Sequence, residues 1–313
     1  MRIFLITPIL FIFLVSCSNS EDFDIPKISK LEKLEQHSNQ FIKGIYSYDN
    51  GIHVAIGYGI ANSIMVEGEG GNIIIDTTDD ISQAKEVLSE FQKINQNPIK
   101  AIIYTHNHGD HVFGASEFYN AQEQKPLVIA HSSTAEKVEK ILGIINPIIT
   151  LRSGKMFGTN LDEDELINVG LGPYLSAGRS SPGYIAPTMT FEKELKLEIA
   201  GHKVELYHAP GETDDQLFVW FPELSALMPG DNFYTTFPNL YTIRGTSHRD
   251  VIGWVNSIDK MRSLDPQYLF PSHTMPVVGE EISNALIIYR DGMQYVHDQT
   301  VRLMNKGFTP DQI

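Results

Sequence analysis

Three histidines and an aspartate stand close together in the segment THNHGDH, residues 105–111. Imidazole and carboxylate groups are common protein ligands of zinc. His106 and His108 are two residues apart, so an extended backbone points both side chains the same way. The glycine permits a turn, after which Asp110 and His111 can face a second ion. The segment predicts a site for two metal ions, which together polarise a substrate and generate hydroxide. The alternative is a polar turn with exposed histidines.

A buried strand is expected directly before this segment. Residues 101–104 are apolar or aromatic throughout, as are residues 73–75, and both runs are typical of strands covered on two faces. Asn50-Gly51 lies between two apolar segments and predicts a hairpin. Residues 80–94 have apolar side chains at helical spacing after aspartate caps. The metal-binding segment is therefore expected at the end of a central strand.

The remaining elements follow from the same patterns. We expect helices over residues 134–142, 251–264 and 281–306, and strands over 127–130, 191–199, 203–207, 216–221, 226–228 and 268–270. The segment from Asn146 to Thr190 is rich in Gly and Pro and predicts a long loop or lid. Strands followed by helices, in two halves, predict an α/β fold of four layers, with two packed sheets between helices.

The start of the chain predicts export. Residues 3–15 form an apolar run after Arg2, too short to span a membrane comfortably and typical of a signal peptide. Leu-Val-Ser-Cys follows and resembles the bacterial lipobox, which implies lipidation of Cys17. A bacterial lipoprotein anchored in the cell envelope is the resulting hypothesis. The alternatives are an ordinary signal peptide or a short anchor helix. Cys17 is the only cysteine of the chain, so any metal must be held by histidine and carboxylate.

Charge excludes one class of partner. The chain carries a net charge of −15 and shows no basic stripe, whereas a nucleic-acid-binding protein needs one to replace counterions. A small anionic substrate is still compatible, because an arginine and two metal ions reverse the field locally.

The motif His-x-His-x-Asp-His resembles that of the metallo-β-lactamase superfamily, which implies an αββα sandwich and further ligands after later strands. The superfamily usually has Pro-Gly-His-Thr where this chain has Pro-Gly-Glu-Thr, so Glu212 takes the place of a histidine. By the same resemblance, Asp231 bridges the two metals and His273 is the last ligand of the second. His208, just before that motif, is a rival to Glu212.

A closer resemblance is to the alkylsulfatases of this superfamily. It rests on Glu212, Asp231 nineteen residues later, and the segment FPNLYTIRG that holds Asn239 and Arg244. In that family the counterparts of Asn239 and Arg244 bind sulfate, and a histidine near the position of His248 is thought to donate a proton. His248 and Arg249 are thus candidates near the leaving group. The bridging residue is usually Glu in the family, whereas this chain has Asp.

The resemblance implies that residues 41–280 form a catalytic domain. We expect residues 1–17 to be the signal peptide, residues 18–40 a tether with a possible helix over 30–41, and residues 281–313 a helix. The family also has a dimerisation domain. The chain ends where that domain should begin, so we expect that the domain is missing here and that a longer chain would form a homodimer.

The function predicted from these residues is hydrolysis of alkyl sulfate monoesters, such as dodecyl sulfate, to alcohol and inorganic sulfate. The nucleophile is a hydroxide on two Zn²⁺ ions, oriented by Asp110. The alternatives are hydrolysis of a β-lactam, lactone or other ester, and metal-dependent ligand capture by a surface lipoprotein without turnover. Chain-length preference, primary against secondary sulfate, C–O against S–O cleavage, and the metal bound stay open.

Overall fold

The computed structural model describes residues 29–162, 165–175, 182–242 and 244–313, and this part of the chain contains two sheets. The first has seven strands in chain order: β1 (Gly44–Ser47), β2 (Ile52–Ile56), β3 (Ser63–Gly68), β4 (Gly71–Ile75), β5 (Ile99–Ile103), β6 (Leu127–His131) and β7 (Met189–Phe191). The second has six strands: β8 (Glu194–Ile199), β9 (His202–His208), β10 (Leu217–Phe221), β11 (Ala226–Met228), β12 (Tyr268–Leu269) and β13 (Val277–Val278).

The strand directions change within each sheet. Strands β1 to β4 pair antiparallel, whereas β4, β5, β6 and β7 are parallel. In the second sheet β8 to β11 pair antiparallel, β12 lies parallel to β11, and β13 returns antiparallel. The carboxyl ends of β4 and β5 therefore lie side by side at one edge, which is where ligand sites form in parallel sheets.

Eight α-helices accompany the sheets in the described part of the chain. They are α1 (Lys30–His37), α2 (Ile81–Ile94), α3 (Gly109–Val112), α4 (Ala115–Asn120), α5 (Thr134–Leu142), α6 (Asn146–Met156), α7 (Val251–Arg262) and α8 (Glu281–Asn305). The side chains of Asp80 and Asp250 cap α2 and α7, accepting hydrogen bonds from Ser82 N and Gly253 N.

Three apolar clusters separate four layers. The central cluster joins the inner faces of the two sheets, with Ile73 and Ile103 on one side and Leu206 and Val219 on the other. A second cluster packs the outer face of the first sheet on α2, α4 and α5. A third packs the second sheet on α7 and α8, around the fully buried Trp254. The predicted αββα sandwich is confirmed, because each sheet is covered by its partner on one face and by helices on the other.

Two predictions of local structure are wrong. The segment from Asn146 was expected to be a loop, yet it begins with helix α6, which has Pro147 in its first turn. This helix has no buried residue, so the pattern of core-facing side chains that identifies a helix is missing. The single strand expected over residues 191–199 is two strands, β7 and β8, which belong to different sheets.

Only part of the N-terminal prediction falls on residues that the structure describes. The signal peptide with Cys17 and the tether up to residue 28 lie outside the described residues. The helix expected after Lys30 is present as α1, followed by a 3₁₀ turn that buries Phe41. Within the described ranges, no helix is both long enough and apolar enough to cross a membrane.

Candidate metal centre and substrate cavity

The predicted ligands converge because they follow neighbouring strands. His106, His108, Asp110 and His111 lie after β5, on a short loop and on α3. The other three come from the second sheet: Glu212 follows β9, Asp231 follows β11, and His273 follows β12. Residues from distant parts of the chain thus meet where the ends of both sheets come together.

The seven side chains form two groups. His106, His108, Glu212 and Asp231 make up the first, and Asp110, His111 and His273 the second. Within each group one ligand atom per residue lies within 4.8 Å of all the others. Both groups offer only imidazole nitrogen and carboxylate oxygen, the donors that zinc binds at about 2.0–2.2 Å. The structure therefore brings together all seven predicted ligands.

Asp231 joins the two groups. Its Oδ2 atom lies 3.7 Å from His106 Nε2 in the first group. The same oxygen lies 3.4 Å from His111 Nε2 and 3.1 Å from His273 Nε2 in the second. A carboxylate in this position can contact ions on both sides, so the geometry suits the bridging role expected for Asp231.

Hydrogen bonds from outside the cluster orient two of the imidazoles. His111 Nδ1 lies 2.8 Å from Asp76 Oδ2, and His273 Nδ1 lies 2.8 Å from the carbonyl oxygen of Ile60. Each contact occupies Nδ1 and leaves Nε2 facing the cluster. Carboxylates and carbonyls that hold the far nitrogen of a metal-binding histidine are characteristic of protein metal sites.

Asp76 is a functional residue that the sequence analysis missed. It is fully buried, has a left-handed backbone with φ of 56°, and accepts hydrogen bonds from Thr105 N, Thr105 Oγ1 and Ser272 Oγ as well as facing His111. One carboxylate thus ties β4 to the THNHGDH segment and to the loop before His273. A single aspartate after a predicted strand does not by itself indicate a functional residue. Asp76 does, however, directly follow the buried strand Ile73–Ile75, just as the THNHGDH segment follows β5.

Unsatisfied atoms show that divalent metal fits this site. His111 Nε2, Glu212 Oε2 and Asp231 Oδ1 are all buried without a hydrogen-bond partner. Buried polar atoms are almost always paired, because each unpaired one costs about 1–3 kcal/mol. All three atoms belong to residues of the two metal groups, so ions bound there would supply the missing interactions.

Charge is concentrated in the same place. Burial lowers the pKa of His106 to about 4, and the neighbouring His111 adds to this. Burial opposes protonation of His273 as well, but the carboxylates of Asp231 and Asp110 outweigh it and raise the pKa to about 9. The pKa of His111 is raised by Asp231, Asp110 and Asp76, again against burial. Without metal, protons on these two imidazoles balance the carboxylates.

We expect metal loading at pH 7 to release about three protons per chain, because His111, His273 and Glu212 have raised pKa values, carry protons when metal-free and must lose them to bind an ion. Raised pKa values favour the protonated form below the raised value, so metal affinity should fall as the pH is lowered. Calorimetric titration with Zn²⁺ in two buffers of different ionisation enthalpy counts the protons. The exposed His297 provides a control, since His297→Ala should release the same number. Binding without proton release would contradict the prediction.

A cavity of about 350 Å³ opens onto the cluster. Asn239 and Arg244, the predicted sulfate ligands, line it together with residues of both metal groups. Arg244 Nη2 lies 3.4 Å from His108 Nε2, and its guanidinium carbon is 5.8 Å from the centre of the Phe157 ring. The structure therefore places a cation at the edge of the metal centre.

Other candidates lie elsewhere. His248 is exposed and lines a neighbouring cavity of about 240 Å³ with Lys137 and Lys140, so its proposed role as proton donor stays a prediction. His208 belongs to neither metal group; it stacks on His131 at 4.1 Å and contacts the carbonyl of Asp214. Arg249, by contrast, is buried beside the cluster and pairs with Glu212.

Comparison with known proteins agrees with this geometry. A family model described as the metallo-beta-lactamase superfamily matches residues 56–273. A linear primary-alkylsulfatase from Pseudomonas sp. is 41% identical over 256 residues, which make up 80% of this chain and 48% of that protein. An alkyl/aryl-sulfatase from Saccharomyces cerevisiae is 28% identical over 287 residues, 87% of this chain and 44% of the yeast protein. The chain spans about half the length of these relatives.

Solved structures show the same fold. A stereoselective inverting sec-alkylsulfatase from Pseudomonas sp. superposes with a TM-score of 0.81 at 24% identity, covering 89% of this chain and 45% of that one. A metallo-beta-lactamase family protein from Thermus thermophilus reaches a TM-score of 0.60 at 17% identity, covering 81% and 82% of the two chains.

Proposed function

We propose that this chain, which belongs to the metallo-β-lactamase superfamily, is the catalytic part of an alkylsulfatase. It hydrolyses alkyl sulfate monoesters to an alcohol and inorganic sulfate with two zinc ions. The observation that carries the proposal is the position of Asn239 and Arg244 in the cavity that both metal groups face. The similarity to several alkylsulfatases supports the same substrate class.

Arg244 supplies recognition of the sulfate group. A guanidinium is planar, always charged, and offers a fork of N–H donors that matches two oxygens of a tetrahedral anion. In the structure this fork lies within reach of His108 and next to the polar end of the cavity, where Asn239 adds an amide donor. Together they orient the ester so that its reacting bond faces the cluster.

Two divalent ions, when bound, would polarise the ester and lower the pKa of a water molecule between them. The chain's own groups prepare the site for this. Asp110 Oδ2 lies 3.4 Å from His273 Nε2, at the face of the second group that lines the cavity, and is placed to orient the attacking water. Asp110, Glu212 and Asp231 bring three negative charges against four positive ones, and the attacking hydroxide adds a fourth negative charge. The loaded site would then be about neutral, so the positive charge of Arg244 would help to attract a monoanion.

The apolar part of the cavity suits an alkyl tail. Ile141 and Leu142 from α5, Ile149 and Met156 from α6, and Phe157 line it. Arg244 marks the boundary between the two parts, because Met156 Sδ lies 3.8 Å from its Nη1. A ligand that fills this cavity has one charged end and one apolar end, which describes an alkyl sulfate better than a compact polar ester.

The proposal extends to where the protein works. The apolar run of residues 3–15 and Cys17 support an exported lipoprotein held at a bacterial membrane by its lipid. The partners are then a soluble anionic amphiphile and the membrane surface, with no nucleic acid.

The test is sulfate release from dodecyl sulfate by zinc-loaded protein. We expect release that a chelator abolishes and added Zn²⁺ restores, and rates that fall as the alkyl chain is shortened from twelve carbons to four, because the apolar wall contributes about 0.8 kcal/mol per buried methylene. A chromogenic cephalosporin serves as the competing substrate. Cleavage of the cephalosporin without sulfate release would assign the site to β-lactams, and a metal-loaded protein that turns over neither would overturn the proposal.

A further inference from the structure

Arg249 is a buried residue beside the metal centre that the proposed chemistry leaves without a role. It is 3% exposed and lines the same cavity as Arg244 and Asn239. Burying a charge is costly unless it is paired, so a fully buried arginine at this place needs a structural reason. Its contacts supply one.

The two arms of the guanidinium reach different parts of the site. Nη2 donates to Glu212 Oε1 at 2.5 Å, and Nη1 donates to the main-chain carbonyl oxygen of Asn239. Glu212 belongs to the first metal group, and its second oxygen, Oε2, is buried without a hydrogen-bond partner. Arg249 therefore connects a predicted metal ligand directly to the backbone of a predicted sulfate ligand.

The position of Arg249 itself is rigid. The next residue, Asp250, caps α7, and the side chain of Trp254 on that helix lies 6.0 Å from the Arg249 guanidinium. Trp254 is fully buried and donates a hydrogen bond from Nε1 to the carbonyl of Asn232. A residue anchored in this way can hold its neighbours in place.

The loop of residues 237–242 is weakly held by comparison. Phe237 and Tyr241 are 57% and 73% exposed, and the hydrogen bonds of Thr242 go to the nearby residues Gly245 and Thr246. Among the described residues, Arg249 is the one donor to the Asn239 carbonyl. Segments with few hydrogen bonds to the rest of the protein open locally at a low free-energy cost.

We infer that Arg249 is a positioning residue that holds the 237–242 loop against Glu212, so that Asn239 and the metal centre keep a fixed relative geometry. The inference rests on the proposed function for the roles of Asn239 and Arg244. The contacts of Arg249 with Glu212 and with the Asn239 carbonyl do not depend on that function. An arginine is required because only its fork reaches two acceptors at once; a lysine is a single point charge.

The first test is limited proteolysis of the zinc-loaded full chain with chymotrypsin, which cleaves after exposed aromatic residues such as Tyr241. We expect Arg249→Ala to speed cleavage at Tyr241 by about tenfold over other sites, and Arg249→Lys to have an intermediate effect. Arg290→Ala, which breaks a half-exposed ion pair with Asp259 elsewhere, should leave the loop cleavage within about twofold of the unmodified chain. Unchanged loop cleavage in Arg249→Ala, or cleavage raised equally at all sites, would overturn the positioning role.

The second test is kinetic and separates the positioning role from the proposed activity. With saturating Zn²⁺, Arg249→Ala should raise KM for dodecyl sulfate by about tenfold, and Asn239→Ala should cost much less in that background than in the unmodified chain, since the two act as one unit. Fully additive effects would overturn the coupling. If the unmodified chain releases no sulfate, the proposed function fails, while the proteolysis result still decides whether Arg249 holds the loop.

Discussion

Asp231→Asn should reduce kcat/KM for alkyl sulfates by about 10³-fold or more and remove at least one metal ion per chain. The substitution keeps the shape of the side chain and removes its charge. Asp231 lies within 3.7 Å of imidazoles from both groups, so no other carboxylate among the described residues serves both ions in the same way. Losing it affects each metal and the distance between them.

Metal content by mass spectrometry and sulfate release together check this prediction. Asp259→Asn is the matched control, because Asp259 pairs with arginines on the helices α7 and α8, away from the cavity. It should keep two metals and near-normal turnover. A folded Asp231→Asn chain that retains both metals and its activity would show that Asp231 does not bridge.

Arg244→Ala should lower kcat/KM for alkyl sulfates by about 10²–10³-fold while leaving the metal content unchanged. A charge-assisted, two-pronged interaction with sulfate contributes more than a neutral hydrogen bond. The second guanidinium of the cavity, that of Arg249, is already engaged with Glu212 and the Asn239 carbonyl, so it does not replace Arg244. Arg244 itself belongs to neither ligand group, although its Nη2 lies 3.4 Å from Nε2 of His108, a member of the first group. Loss of binding without loss of metal is therefore the expected signature.

Arg244→Lys distinguishes charge from geometry. Lysine keeps the positive charge but offers a single donor centre, so we expect it to recover only part of the lost activity. Competitive inhibition by inorganic sulfate should weaken in the same order. If Arg244→Ala bound sulfate and hydrolysed dodecyl sulfate normally, Arg244 would have no part in substrate recognition and the assignment of the polar end of the cavity would have to change.

Local sequence patterns were sufficient to predict most of the helices and strands of the fold. Hairpin β1–β2, the buried strands β4 and β5, and helices α2, α5, α7 and α8 lie within a few residues of where they were predicted, because each has a turn, a cap or a periodic apolar face written into its own residues. Helix α6 was missed because it lies on the surface beside the cavity and buries none of its residues. The break between β7 and β8 was missed because apolar residues on both sides of it face the same central core.

The chemistry of the site could also be stated from the sequence. His106, His108, Asp110 and His111 are adjacent in the chain, so their types and spacing alone predicted a metal centre, and resemblance supplied Glu212, Asp231 and His273. What only the tertiary structure decided is how these residues are held. Asp76 behind His111, the carbonyl of Ile60 behind His273, and Arg249 between Glu212 and Asn239 are each contacts between segments distant in the chain. The packing of the two sheets and α7 determines which residues form these contacts, and no local sequence pattern predicts them.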